Sequence, residues 1–198
     1  ELGLHEPASL AELATRCNVI ALCVPADADV LADVAVIAAN AQAGTIVIDH
    51  STVSSVTARE ARECMLRNGG EFIDAPVSGG VEGARNGKLS VMVGGEAAVL
   101  ERVRPVLECY AARINHMGGI GAGQNTKAVN QVLVAGIAQG VCEGLALGEA
   151  DPRTVTSQPA SANECPSSTH RGALWGVASR SGRRVLTTAQ TTSSRTSA

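Results

Sequence analysis

Two polar segments carry the residue types that could do chemistry. Residues 74–80 (DAPVSGG) combine a carboxylate, a hydroxyl and two adjacent glycines, and residues 121–131 (GAGQNTKAVNQ) carry a lysine and carboxamides at helical spacing. Adjacent glycines let backbone N–H groups approach an anion closely, and a lysine nearby could supply or accept a proton. Together the two segments predict a site for a small carboxylate with an acid–base group beside it.

Ser78, Gly79 and Gly80 are the candidate carboxylate-binding residues. The two glycines would present backbone amides to the anion, and the serine hydroxyl would add a further donor. The alternative interpretation is a flexible turn that follows a strand, which is a common use of such residues. We expect Asp74 to fix this loop rather than to perform chemistry.

Lys127 is the candidate acid–base residue. A lysine that is partly desolvated in a cleft has a lowered pKa, which suits it to proton transfer near neutral pH. The chain has two lysines against 14 arginines, so a lysine inside this motif is notable; the alternative is a solvated lysine in the first turn of a helix. Asn130 follows three residues later, on the same helix face, where it could hold a substrate oxygen. Gln131 is equally well explained as an ordinary polar helix residue.

The elements that position these residues alternate between strands and helices. Short apolar runs, Ala-rich stretches and turn residues predict them along the first 150 residues. The predicted strands cover 18–24, 45–49, 71–74, 88–93 and 113–116, and the predicted helices cover 26–41, 54–68, 96–110 and 124–150. We expect Ser54 or Ser55 to cap the second helix and Pro105 to kink or split the third.

This alternation predicts an α/β fold, a partial Rossmann-like doubly wound and mainly parallel sheet followed by a long helix. Ligands of such sheets bind beyond the carboxyl ends of the strands, where Pro25, residues 49–52 and residues 74–80 would lie. The composition changes after Ala150: residues 151–198 are rich in Ser, Thr and Arg and have no sustained apolar period. Because such a stretch buries little apolar surface, we expect it to be disordered.

Composition narrows the class of protein. The net charge of −3 gives no reason to expect nucleic acid as a partner. We see no signal peptide and no apolar run of membrane-spanning length, so we expect no membrane partner. The six cysteines and four histidines show no metal-ligand spacing, and the cysteines are interpreted as free thiols of a reducing cytoplasm. The first residue, Glu1, is not an initiator methionine, which leaves organellar targeting open.

The chain resembles the β-hydroxyacid dehydrogenases of the 3-hydroxyisobutyrate dehydrogenase and tartronate semialdehyde reductase type. The resemblance covers about residues 10–150 and depends on the order and spacing of five motifs. These are CVP at 23–25, DHST at 49–52, DAPVSGG at 74–80, GxLSVMVGG at 87–95 and GAGQNTKAVNQ at 121–131. The combination of DAPVSGG with GAGQxxKxxN is specific, whereas either motif alone would be moderate evidence.

The resemblance implies an oxidoreductase that uses NAD or NADP on a small 3-hydroxy acid, with Lys127 and Asn130 as catalytic residues. The substrate would bind at Ser78, Gly79, Gly80, Asn130 and Gln131, and the cofactor at Val24, Pro25, Asp29 and Thr52. For the four cofactor positions the alternatives are a strand end, an acidic residue near a helix start and a cap. The implied domains are 1–121 (partial nucleotide-binding domain), 122–150 (start of a helical domain) and 151–198 (disordered tail).

The chain also departs from the family pattern. The family begins with a strand and a GxGxxG turn, and residues 1–17 contain one glycine. The helical domain, which would make the family's homo-oligomer, is not recognisable after Ala150. The alternative is therefore a non-catalytic truncated fragment or interaction module without the phosphate-binding turn, with an unpaired sheet edge that favours association.

Overall fold

The computed structural model describes residues 7–150, and the predicted tail at 151–198 lies outside the described residues. Twelve elements follow one another in this part of the chain. They are α1 (Leu10–Arg16), β1 (Val19–Leu22), α2 (Asp27–Asn40), β2 (Ile46–Asp49), α3 (Ser55–Arg67), β3 (Glu71–Asp74), β4 (Val77–Ser78), α4 (Gly80–Arg85), β5 (Leu89–Gly94), α5 (Ala97–Leu107), β6 (Ala111–Gly118) and α6 (Ala122–Ala150).

The α/β fold class is confirmed, and the sheet contains both parallel and antiparallel pairs. β1, β2 and β3 are mutually parallel neighbours, and β6 runs parallel to β5. β5 runs antiparallel to β3 and β4, because the chain continues from β3 into β4 and then turns back. Within the described residues, β1 pairs with β2 alone. The carboxyl ends of β1, β2 and β3 share one edge of the sheet.

Two apolar layers hold this sheet between helices. On one layer Phe72 and Val47 belong to a cluster with buried residues of α1, α2 and α3. On the other layer Ile48 and Ile73 belong to a cluster with buried residues of α5. Successive strand side chains point to opposite faces, so strands that are apolar along their whole length, such as β2, can supply both layers. This explains why the continuous apolar runs of the sequence predicted strands that are buried on both faces.

Several local expectations are confirmed and others are wrong. Ser54 is the cap of α3, where its hydroxyl accepts the backbone N–H of Thr57 at 3.0 Å. Pro105 does not split α5, which continues through it and ends two residues later. The predicted loop at 74–80 is not continuous loop, because Val77–Ser78 pairs with β5 and α4 begins at Gly80. The helix α1 was not predicted.

The helix α6 is the longest element described and is long and apolar enough to cross a membrane, by length and composition alone. Core helices of soluble proteins meet the same criterion. The expectation that no apolar run reaches this length was therefore wrong. Its large apolar side chains are exposed in the described chain, namely Val129, Val132, Leu133, Val134, Ile137, Val141, Leu145 and Leu147.

Contacts divide the chain into two compact units, the first of which ends at Val129 and the second of which begins at Asn130. The first unit contains the sheet and the first turns of α6. The predicted domain boundary between residues 121 and 122 stays a prediction.

Candidate functional site

The start of α6 is fixed by a carboxylate at the end of β3. Asp74 is fully buried and accepts the backbone N–H of Gly121 at 2.7 Å and of Gln124 at 2.9 Å. Burial raises the pKa of Asp74, and these hydrogen bonds oppose that rise. The carboxylate thus satisfies N–H groups that a helix start leaves without partners. It fixes α6 rather than its own loop, which corrects our expectation for this residue.

Gly123 allows the helix to approach the strands. A Cβ atom at this position would lie 2.3 Å from the Met92 carbonyl oxygen and 2.8 Å from a carboxylate oxygen of Asp74. Only a residue without a side chain fits so close to the backbone of β5. Gly123 of the GAGQ motif therefore serves contact between helix and sheet. Lys127 lies one turn further along the same helix.

Gln124 joins α6 to the loop that follows β2. Its Nε2 donates to the Ser51 carbonyl oxygen at 2.8 Å, and its Oε1 accepts the Val53 N–H at 3.1 Å. The Ser51 hydroxyl in turn accepts the Val24 N–H at 2.9 Å in the segment that follows β1. These hydrogen bonds connect the segments that follow β1 and β2 to each other and to α6. Sequence reasoning missed Gln124 and Ser51, although both lie inside the motifs that were recognised.

The predicted cofactor residues lie at this same edge of the sheet. Val24 is half-buried, and Pro25, Asp29 and Thr52 are exposed. The neighbouring Asp27 side chain accepts the Ser54 N–H and the Thr57 hydroxyl, so it ties the start of α2 to the start of α3. Dinucleotides bind to such sheets beyond the carboxyl ends of the strands, which is where these residues lie. Contact with a cofactor stays a prediction for all four residues.

Lys127 is a buried lysine, with 9% of its surface exposed. Burial lowers the pKa of its amine, because removal from water disfavours the charged form. Among residues 7–150 no carboxylate forms an ion pair with it. A lysine in this state can accept or donate a proton more readily than a solvated one.

The predicted carboxylate cradle begins in β4. Ser78 is half-buried and pairs with Ser90 of β5, whereas Gly79 and Gly80 are exposed. Both glycines have positive φ, 134° and 59°, which favours glycine at these positions. Ser78 and Gly79 line an open groove whose lining does not include Lys127. That the Lys127 amine faces Ser78, Gly79 and Gly80 stays a prediction.

Asn130 and Gln131 belong to the second unit. Asn130 is half-buried and Gln131 is exposed. The Asn130 Nδ2 donates to the Gln131 Oε1 at 3.4 Å. Their part in substrate binding stays a prediction.

A further titratable residue, Asp49 at the end of β2, was not among the predicted site residues. Asp49 is fully buried, and burial raises its pKa to about 6. One of its oxygens accepts the Ser51 N–H at 2.9 Å, and the other has no hydrogen-bond partner among the described residues. Asp74 lies beside it in register on β3, and its charge adds to the rise.

His50 has a structural contact on each ring nitrogen. Nδ1 lies 2.7 Å from the Ala75 carbonyl oxygen, and Nε2 lies 2.8 Å from the Tyr110 hydroxyl. Because a carbonyl can only accept, Nδ1 carries the proton and the tyrosine O–H donates to Nε2. Burial lowers the pKa of His50, which favours this neutral form. Both ring nitrogens of His50 are therefore engaged in contacts within the described chain.

Comparison with known proteins identifies the family. The sequence family described as the NAD binding domain of 6-phosphogluconate dehydrogenase matches residues 2–119. The chain belongs to this family. The predicted cofactor class, a nicotinamide dinucleotide, agrees with it.

The chain is also similar in sequence to individual enzymes. The chain is 43% identical over 102 residues to the 2-hydroxy-3-oxopropionate reductase of Escherichia coli (strain K12), which covers 52% of this chain and 35% of that protein. It is 48% identical over 103 residues to the 3-hydroxyisobutyrate dehydrogenase of Pseudomonas aeruginosa, with the same two coverages. The curated relatives are thus matched over about a third of their length.

A solved structure supports the same fold. The 3-hydroxyisobutyrate dehydrogenase of Mycobacterium tuberculosis, solved with L-serine, superimposes with a TM-score of 0.70 at 37% identity. The match covers 72% of this chain and 49% of that one. The Rossmann-like architecture predicted from the sequence is therefore confirmed by a relative of known structure.

Proposed function

We propose that the chain is the nucleotide-binding part of a cytoplasmic NAD(P)-dependent oxidoreductase of small 3-hydroxy acids, of the 3-hydroxyisobutyrate or 2-hydroxy-3-oxopropionate type. The observation that carries the proposal is Lys127, a buried amine without a carboxylate partner among the described residues. Its helix is fixed to the sheet by Asp74 and Gln124. The named relatives, which are reductases and dehydrogenases of such acids, support the same reaction class.

The roles of the residues follow from their chemistry. The Ser78 hydroxyl and the backbone N–H groups of Gly79 and Gly80 donate hydrogen bonds to the substrate carboxylate. Lys127, in its neutral form, takes the proton of the substrate hydroxyl during oxidation and returns it during reduction. Asn130 and Gln131 hold the substrate oxygen. Val24, Pro25, Asp29 and Thr52 would hold the nicotinamide cofactor, which would supply or accept the hydride when bound.

Replacement of Lys127 tests the mechanism. In Lys127→Ala we expect reduction of 2-hydroxy-3-oxopropionate by NADH to fall by at least about a hundredfold, because general acid–base catalysis contributes on that scale. Lys127→Arg should be equally inactive, since a guanidinium does not lose its proton. The exposed Arg67→Gln is the matched control and should keep wild-type turnover. Substantial activity in Lys127→Ala would remove this residue from the mechanism.

A second candidate, a non-catalytic interaction module, is favoured by the exposed apolar side chains of α6. Titration of the purified chain with NADH and NADPH, followed by cofactor fluorescence, separates the two candidates. Saturable micromolar binding supports the oxidoreductase. No binding, together with a mass in solution that rises with concentration, supports the interaction module and a homo-oligomer.

A further inference from the structure

An open groove of about 420 Å³ crosses β4, β5 and β6 on the described part of the chain. Its lining contains two cations and two hydroxyls and no acidic residue: Ser78, Gly79, Lys88, Ser90, Ala112 and Arg113. An anion is the class of ligand that such a set of donors recognises.

Strand register sets three of these side chains in a row. Ser78 of β4 pairs with Ser90 of β5, and Ser90 pairs with Arg113 of β6. Paired residues on neighbouring strands lie on the same face of a sheet, and neighbouring strands are about 4.8 Å apart. The row therefore extends about 10 Å from the backbone of Ser78 to that of Arg113. This length suits a ligand with acidic groups at both ends.

The two cations are free to bind such a ligand. Three other arginines of the described chain form ion pairs with a carboxylate: Arg16 with Glu12, Arg62 with Glu96 and Arg104 with Glu101. Within residues 7–150, Lys88 and Arg113 have none. An arriving anion thus replaces no existing partner, and Arg113 offers a planar fork that matches a carboxylate or a phosphate.

We propose that Lys88 and Arg113 bind the second anionic group, carboxylate or phosphate, of a doubly charged hydroxy acid whose first carboxylate lies at Ser78 and Gly79. The proposal rests on the proposed function for the identity of the ligand as a substrate. A singly charged acid bound at Ser78 and Gly79 would leave both cations unused, whereas a dianion engages the whole row. Lys88 and Arg113 are then specificity-determining residues rather than catalytic ones.

Titration calorimetry of the purified 198-residue chain tests the groove, with succinate, inorganic phosphate and acetate as probes. We expect saturable binding of succinate or phosphate, and whichever binds more tightly identifies the second group as carboxylate or phosphate. Lys88→Gln and Arg113→Gln should each weaken that binding about tenfold, the loss expected for one charge-assisted hydrogen bond. Acetate binding should not change in either variant.

Controls keep the result specific to the groove. Arg67→Gln removes the same charge from an exposed site outside the lining and should leave binding unchanged. Arg113→Lys should keep part of the affinity, because it keeps the charge and loses the fork. Lys88 and Arg113 are exposed, so their variants should show the circular dichroism of the parent chain.

Two results would overturn the proposal: no saturable binding of either dianion, or binding that both glutamine variants leave unchanged. This failure is distinguishable from failure of the proposed function. Dianion binding that depends on Arg113, in a chain that binds neither NADH nor NADPH, would keep the groove and reject the oxidoreductase.

Discussion

The carboxylate of Asp74 and the backbone N–H of Gln124 are 2.9 Å apart, although 50 residues of chain separate them. A strand end therefore supplies the cap for a helix that begins far along the sequence. The same carboxylate also accepts the Gly121 N–H. The position of Lys127 depends on this contact, because it lies in the next turn of that helix.

Asp74→Asn should lower the free energy of unfolding by about 2–3 kcal/mol, since the amide can accept only one of the two buried N–H bonds and turns a donor towards the other. Urea unfolding measures the change. Glu63→Gln removes the same charge at an exposed position and should shift the midpoint little. Equal stabilities of the two variants would show that Asp74 does not cap the helix.

Gly123→Ala and Gly136→Ala form a pair within one helix. The first should destabilise the chain by at least about 3 kcal/mol, because its Cβ would overlap the backbone of β5. The second has no neighbour within 4 Å and should stabilise by up to about 1 kcal/mol, since alanine favours helix. Thermal unfolding of both variants measures the contrast. A harmless Gly123→Ala would exclude the close approach to Met92.

Asp49 should make stability depend on pH. Its pKa is raised to about 6 in the folded chain, so the folded state holds a proton between about pH 4 and pH 6 that the unfolded state has released. The contribution of this group is complete below about pH 4 and is lost as pH rises through about 6. Between these limits the wild-type chain should lose about 3 kcal/mol relative to Asp49→Asn. A constant difference between the two proteins across this range would contradict the raised pKa.

Tyr110→Phe should raise the pKa of His50. Burial lowers that pKa in the wild-type chain, and the tyrosine O–H bond to Nε2 further favours the neutral ring because it uses the lone pair that would bind a proton. Nuclear magnetic resonance titration of the His50 ring proton gives the value directly. An unchanged or lower pKa for His50 would exclude the assigned donor direction.

Local patterns predicted most of the sheet. The runs at 45–49 and 71–74 are apolar and bounded by turn residues, and both are strands within one residue of the expected limits. The segment at 74–80 was interpreted as loop because its glycines and polar residues hide the pairing of Val77–Ser78, which depends on the opposite strand rather than on local propensity. The short α1 lacks enough turns to show a clear period.

The candidate site was predicted in its residue types but not in its connections. Lys127 and Ser78 follow from motif spacing, whereas the capping role of Asp74 could not, because contacts between distant residues have no local signature. The same reason explains the omission of Ser51 and Gln124. Lys88 and Arg113 share one groove only through strand register, which no single segment of sequence reveals.

The contact between Asp74 and Gly121 spans 47 residues, and this has a consequence for hydrogen exchange. The first amides of α6 keep their acceptor only while the end of β3 stays against the start of the helix. Slow hydrogen–deuterium exchange at Gly121 and Gln124 would consequently report how rarely this long-range contact opens.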